Sequence, residues 1–142
     1  MRGRCQCAKV VVEIDRIERA GVVCCCSMCR RISGSPLSYV LLVARGAFRI
    51  TAGREALSSY ASSHNTLRFH CGTCHAPMYA EVTDNAELPL FVAAGVVDDA
   101  HALEAVGFEP IFADDLAPWH KLDWAGTVHG GAPPADLFRI GR

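Results

Sequence analysis

Seven of the eight cysteines fall into three spaced patterns. Cys5 and Cys7 form CxC, Cys24, Cys26 and Cys29 form CxCxxC, and Cys71 and Cys74 form CxxC, with Cys25 left over. Thiolates two or three residues apart can turn toward one metal ion, and two such pairs can close one tetrahedral zinc site. On that chemistry Cys5, Cys7, Cys71 and Cys74 read as a structural zinc site. Binding of this kind is worth on the order of 10–16 kcal/mol apparent, against a net stability of ~5–15 kcal/mol for a typical domain. The alternative for Cys71 and Cys74 is a redox pair; the companion CxC argues against it.

Cys24, Cys26 and Cys29 supply only three sulfurs, so a second zinc held there keeps an open position, the hallmark of a reactive site. A site with three thiolates is also exposed and labile, so it is expected to be partly empty in a purified sample. Thiolate ligands make the metal a weak Lewis acid, better suited to receiving an incoming thiol than to polarising water. Arg30 and Arg31 follow at once and can offset the site's negative charge or bind an anionic substrate; a solvated basic pair is the blander reading. Cys25 points away from its neighbours in an extended segment and reads as a spectator, or as a redox-sensitive thiol. His64, His70 and Asp98 are the candidates for proton transfer. His70 and His75 flank the CxxC knuckle.

Disulfides are the competing use of eight cysteines. CxC and adjacent cysteines are poor bridge material. Cys5 lies too close to Met1 for a removable leader, so a cytoplasmic location is expected, where thiols stay reduced.

The elements that must position these residues read mostly as strand. Lys9 to Ile17 alternates, Leu37 to Val43 is an almost continuous β-branched and aliphatic run, and Met78 to Thr83 alternates again. Leu90 to Val97 is a further apolar run. Helix is expected over Met28 to Ser33, with a second short helix near Glu55 to Ser59. Phe108 to Phe112 is expected in the core. The pattern predicts one mainly β, antiparallel domain over residues 1–142, with residues 129–142 a surface tail. At 142 residues, 51% hydrophobic and 20% charged, the chain is globular. A net charge of -1 gives no case for nucleic acid or an anionic membrane. The longest apolar run, Leu88 to Val97, is about half of the ~20 residues a spanning helix needs.

With these motifs in order, the chain resembles the glutathione-dependent formaldehyde-activating enzyme family, which includes centromere protein V. The resemblance rests on Gly3-Arg4-Cys5-Gln6-Cys7, on Cys24 through Arg31 with Gly34, and on Phe48 to Gly53. It continues through Leu57, Tyr60, Ser63 and Arg68 into Cys71-Gly72-Thr73-Cys74, then Ala94 to Asp99 and Ile111 to Trp119. It implies a β-tent fold of short antiparallel sheets around zinc. It pairs Cys5, Cys7, Cys71 and Cys74 as structural ligands, and Cys24, Cys26 and Cys29 as the catalytic site. The implied reaction is that of a carbon–sulfur lyase, joining glutathione and formaldehyde into S-hydroxymethylglutathione or reversing it. The alternative is a non-catalytic zinc module that binds a thiol compound or a protein partner. Ala8 and His75 stand where the family usually has glycine, Pro110 where it usually has histidine, and Cys25 where histidine is frequent.

Overall fold

The computed structural model describes residues 1–17 and 21–138. They carry strands β1 (Arg2–Arg4), β2 (Val11–Ile14), β3 (Gly21–Cys24), helix α1 (Ser27–Ser33), β4 (Ser38–Val43), β5 (Phe48–Ala52), β6 (Leu57–Ala61), β7 (Thr66–Cys71), β8 (Pro77–Val82), β9 (Leu90–Ala93) and β10 (Phe108–Ile111). The architecture is mainly β. A small sheet has the order β1-β2-β5, and a larger one the order β10-β3-β4-β9-β8-β7-β6.

Strand alternation creates two cores. Along β4, Leu41 and Val43 face the main core, where they meet Val10, Val12, Ile14, Met78 and Val92. Leu42 faces the other way, toward Val22, Cys24, Cys29 and Ile111. β9 divides likewise: Leu90 and Val92 join the first core, and Phe91 packs against the second. Period-2 geometry requires this of a strand buried on both faces. As a result Cys24 and Cys29 sit on the face of the large sheet opposite the main core.

Three features depart from the sequence reading. β10 pairs with β3 in parallel, Ile111 beside Cys24, so the large sheet is mixed and not purely antiparallel. The short helix expected near Glu55 to Ser59 is only a 3-10 turn over Arg54–Ala56, and Leu57 onward is strand β6. The Leu90 to Val97 run is strand only to Ala93, followed by a 3-10 turn. Phe108 to Phe112 does lie against the cores, with Pro110 and Ile111 buried.

Residues 129–138 are partly to fully exposed except for buried Pro133, and the segment is pinned. The Phe112 and His129 N–H groups donate to Gly131 and Pro110 carbonyls, and Phe138 meets Phe91 edge-on at 5.6 Å. Residues 139–142 of the expected tail lie outside the described residues.

Two glycines shape the site's supports. Gly34 ends α1 in the left-handed region, φ 67°, donating its N–H to Arg30 O. Gly3 bridges to Val97 and ties the small sheet to the rest; a Cβ there would stand 2.8 Å from Val96 O.

Candidate metal centres and the adjoining cleft

The first cysteine set is built from two hairpin ends. β1 and β2 are joined by a knuckle in which Cys5 N–H donates to Val10 O and Ala8 N–H to Cys5 O. β7 and β8 are joined by another, in which Cys71 N–H donates to Ala76 O and His75 N–H to Cys71 O. Ala8 and His75 adopt φ of 58° and 59°, which explains the glycine usual at both positions. The knuckles bring the sulfurs of Cys5, Cys7, Cys71 and Cys74 within 4.8 Å of one another.

The donor set fits a metal. Two sulfurs bound tetrahedrally to one zinc at ~2.3 Å stand ~3.8 Å apart. The Cys5–Cys7 and Cys7–Cys71 sulfurs are 3.6 and 3.7 Å apart, far beyond disulfide length, and all eight cysteines are free. Backbone N–H groups already favour thiolates here. The N–H groups of Ala76 and Cys7 lower Cys74 to about 6, and the Cys74 N–H lowers Cys71. At Cys7 the Lys9 N–H is outweighed by burial and by the neighbouring thiols, which push it up to about 11.

The second set hangs on the start of α1. Cys24 closes β3, Cys26 is the N-cap, and Cys29 lies one turn in. Their sulfurs also lie within 4.8 Å of one another, with Cys24 to Cys26 at 3.4 Å. The Cys26 sulfur accepts from Cys29 N–H at 3.4 Å. Hydrogen bonds from the Cys24 and Cys29 thiols, then the Cys29 and Met28 N–H groups, lower Cys26 to about 2. Cys24 is pushed up because its thiol serves Cys26 and Cys29 and because it is buried. Within the set the thiolate is thus favoured at Cys26 and disfavoured at Cys24. Asp115 steadies the helix start: its carboxylate accepts from Ser27 N–H at 2.6 Å, and its carbonyl accepts from Arg30 at 3.0 Å.

Cys25 stands outside both sets, with its sulfur 3.7 Å from Val23 O, its N–H bonded to Ile111 O and its thiol raised by burial.

A cleft of about 330 Å³ opens beside the second set, and Cys29 is part of its wall. Phe69, Tyr79 and Phe91 give it an aromatic lining, with Phe69 and Tyr79 stacked at 4.4 Å. Arg68 also lines it, donating from Nε to Ser62 Oγ at 3.0 Å and from Nη2 to Cys29 Sγ at 3.7 Å. The register of β7 on β8 shifts between Phe69 and His70. Consecutive residues Arg68, Phe69 and His70 therefore all reach the cleft, which strict alternation forbids.

The expected polar residues are distributed unevenly. Arg30 is held on the Asp115 carbonyl, Arg31 is exposed, and neither lines the cleft. His70 and His75 line it. His64 is exposed and lies off the cleft lining, and Asp98 pairs with Arg4 at 2.9 Å in an adjoining, wider cleft of about 670 Å³ that shares Ser33, Ser38, Pro77 and Ala93 with the first. Arg68 is the residue sequence reasoning overlooked as a site group. Its only signal was its place in the family pattern just ahead of the CxxC.

The model of the family described as glutathione-dependent formaldehyde-activating enzyme matches residues 1–114. The chain belongs to this family; its own fold is mainly β, and its cysteine clusters could hold metal ions. Among solved structures, it is similar to a protein from Rhodobacter sphaeroides. The two are 22% identical with a TM-score of 0.61, and the match covers 76% of this chain and 99% of that one. At that identity the likeness concerns the fold. Among the described residues no helix is long and apolar enough to cross a membrane.

Proposed function

We propose that the chain is a zinc-dependent carbon–sulfur lyase-type enzyme. It adds a thiol, glutathione or one like it, to an aldehyde such as formaldehyde, or cleaves the adduct. The observation that carries this reading is the incomplete thiol set of Cys24, Cys26 and Cys29 in the wall of an apolar cleft. Cys5, Cys7, Cys71 and Cys74 are read as structural ligands. Free thiols throughout suit a reducing cytoplasm.

A zinc ion held by Cys24, Cys26 and Cys29 supplies an open position that lowers a substrate thiol's pKa. The chain's own residues do the rest. The aromatic lining excludes water around the reacting atoms. The Arg68 guanidinium, beside Cys29, binds and orients an anionic group of the substrate. The substrate sulfur forms a bond to the aldehyde carbon, and the carbonyl π pair moves to oxygen. That oxygen takes the proton that the thiol gave up, a transfer we assign to the imidazole of His70 in the cleft wall. The product is a hemithioacetal, and the reverse path breaks the same carbon–sulfur bond and returns the proton.

Exchange NMR of a thiol with formaldehyde tests this. Metal-loaded protein is expected to accelerate exchange beyond buffer containing the same zinc. A rate no faster than that control, for glutathione and for other thiols, would leave the chain as a zinc module that binds without turnover.

A further inference from the structure

The cleft beside Cys29 continues beyond its own walls. The wider cleft of about 670 Å³ adjoins it, and Ser33, Ser38, Pro77 and Ala93 line both. The junction lies close to the second cysteine set. Ser38 stands opposite Cys24 in the pairing of β4 with β3, one strand spacing or ~5 Å away. Ser33 lies ~6 Å beyond Cys29 along α1. An extended tripeptide reaches ~10 Å, so a thiol of that length with its sulfur at the second set passes the junction and enters the wider cleft. Arg4 and Asp98 line that cleft and pair at 2.9 Å. Their backbones are fixed by the Gly3–Val97 bridge and by the Asp98 N–H, which donates to Arg2 O at 3.0 Å.

We propose that the wider cleft holds the α-amino-acid end of the thiol, its carboxylate on Arg4 and its ammonium on Asp98. This rests on the reading of the second cysteine set as the place of thiol–aldehyde chemistry. An α-amino acid carries both charges on one carbon, and Arg4 and Asp98 present the opposite charges side by side. A lone carboxylate gains Arg4 but is repelled by Asp98, and a lone ammonium meets the converse, so the pair favours the zwitterion over either. The pair meets through Arg4 Nε and one Asp98 oxygen. A guanidinium has five N–H donors and a carboxylate two acceptor oxygens, which leaves capacity for a ligand. A γ-glutamyl peptide such as glutathione has this zwitterionic end, and its glycyl end has a carboxylate alone. Its direction in the groove is thereby set: the γ-glutamyl end lies at Arg4 and Asp98, and the glycyl carboxylate stays with Arg68 beside Cys29. Arg4 is about half-exposed, so the discrimination is modest in size.

The test is NMR titration of the zinc-loaded protein with three thiols that share a cysteinylglycine half: glutathione, its des-amino analogue glutaryl-cysteinylglycine, and its des-carboxy analogue 4-aminobutanoyl-cysteinylglycine. Glutathione is expected to shift the backbone signals of Tyr39, Val97 and Asp98 and to bind about fivefold more tightly than either analogue. Asp98→Asn is expected to erase the preference over the des-amino analogue and keep that over the des-carboxy one. Arg4→Gln is expected to do the converse. A merely structural role for the pair would weaken all three thiols alike. The proposal is overturned if the analogues bind as tightly as glutathione, if none of the three binds, or if signals shift only around the first cleft. Should either variant fail to fold, the comparison of the three thiols on the unaltered protein decides alone. Discrimination among the thiols without accelerated thiol–aldehyde exchange supports the wider cleft and removes the lyase reading. Accelerated exchange with equal affinity for all three does the reverse.

Discussion

Ala8 and His75 share one backbone state in two different loops. Each follows the second cysteine of its pair, each has φ near +60°, and each donates its N–H to the carbonyl of the first. Holding a side chain in this region costs roughly 1–2 kcal/mol, and glycine avoids it. Glycine also loosens the unfolded chain by about 0.4–1 kcal/mol. Ala8→Gly and His75→Gly are therefore each expected to stabilise the protein by about 0.5–1 kcal/mol. Denaturant unfolding at fixed zinc measures this, and a loss of stability in both variants would contradict the strain.

The two cysteine sets are expected to answer differently to substitution. Fresh protein should carry two zinc ions, Cys26→Ala one, with the β signal in circular dichroism retained. Cys74→Ala should unfold or aggregate, because a closed site contributes on the order of the whole domain's stability. Metal analysis beside circular dichroism checks both. Unchanged metal content in both variants would defeat the two-site scheme.

With only the second site emptied of metal, Cys26 should alkylate ahead of Cys24 and Cys25. Its pKa is lowered to about 2, while those of Cys24 and Cys25 are raised. At about pH 6 Cys26 is thus already thiolate and its two neighbours are thiols, and the thiolate is the nucleophile. Iodoacetamide labelling with peptide mass spectrometry reads the order; labelling of Cys24 or Cys25 ahead of Cys26 would refute it.

Asp115 is expected to matter to the second site although it is no ligand. Asp115→Ala removes the acceptor for Ser27 N–H beside Cys26. Zinc affinity there should fall about tenfold, as for other groups that orient ligands, while the four-cysteine site is unaffected. Competition with a chromophoric chelator resolves the two affinities.

Local spacing made the cysteine pairs and α1 legible in the sequence. CxC and CxxC fall at hairpin ends, between β1 and β2 and between β7 and β8. What stayed hidden depends on partners remote in sequence. The parallel match of Gly21–Cys24 with Phe108–Ile111 leaves no local signature. Arg30 and Arg31 seemed the site's cations because they adjoin Cys29, but the helix carries Arg30 to Asp115. Arg68 reaches Cys29 from 39 residues away, on a strand whose bulge re-aims three side chains. Neither the bulge nor that distance is written in residue types.

The parallel strand also sets an order of assembly. A chain emerging from the ribosome presents Cys5, Cys7, Cys71 and Cys74 before it presents Ile111, at ~5–20 residues per second. The closed set can capture metal while the tail is still being made. The strand bearing Cys24 gains its outer neighbour only when Ile111 arrives to receive the Cys25 N–H. A metal at the closed set would thus belong to the birth of the fold, and one at the second set to its completion.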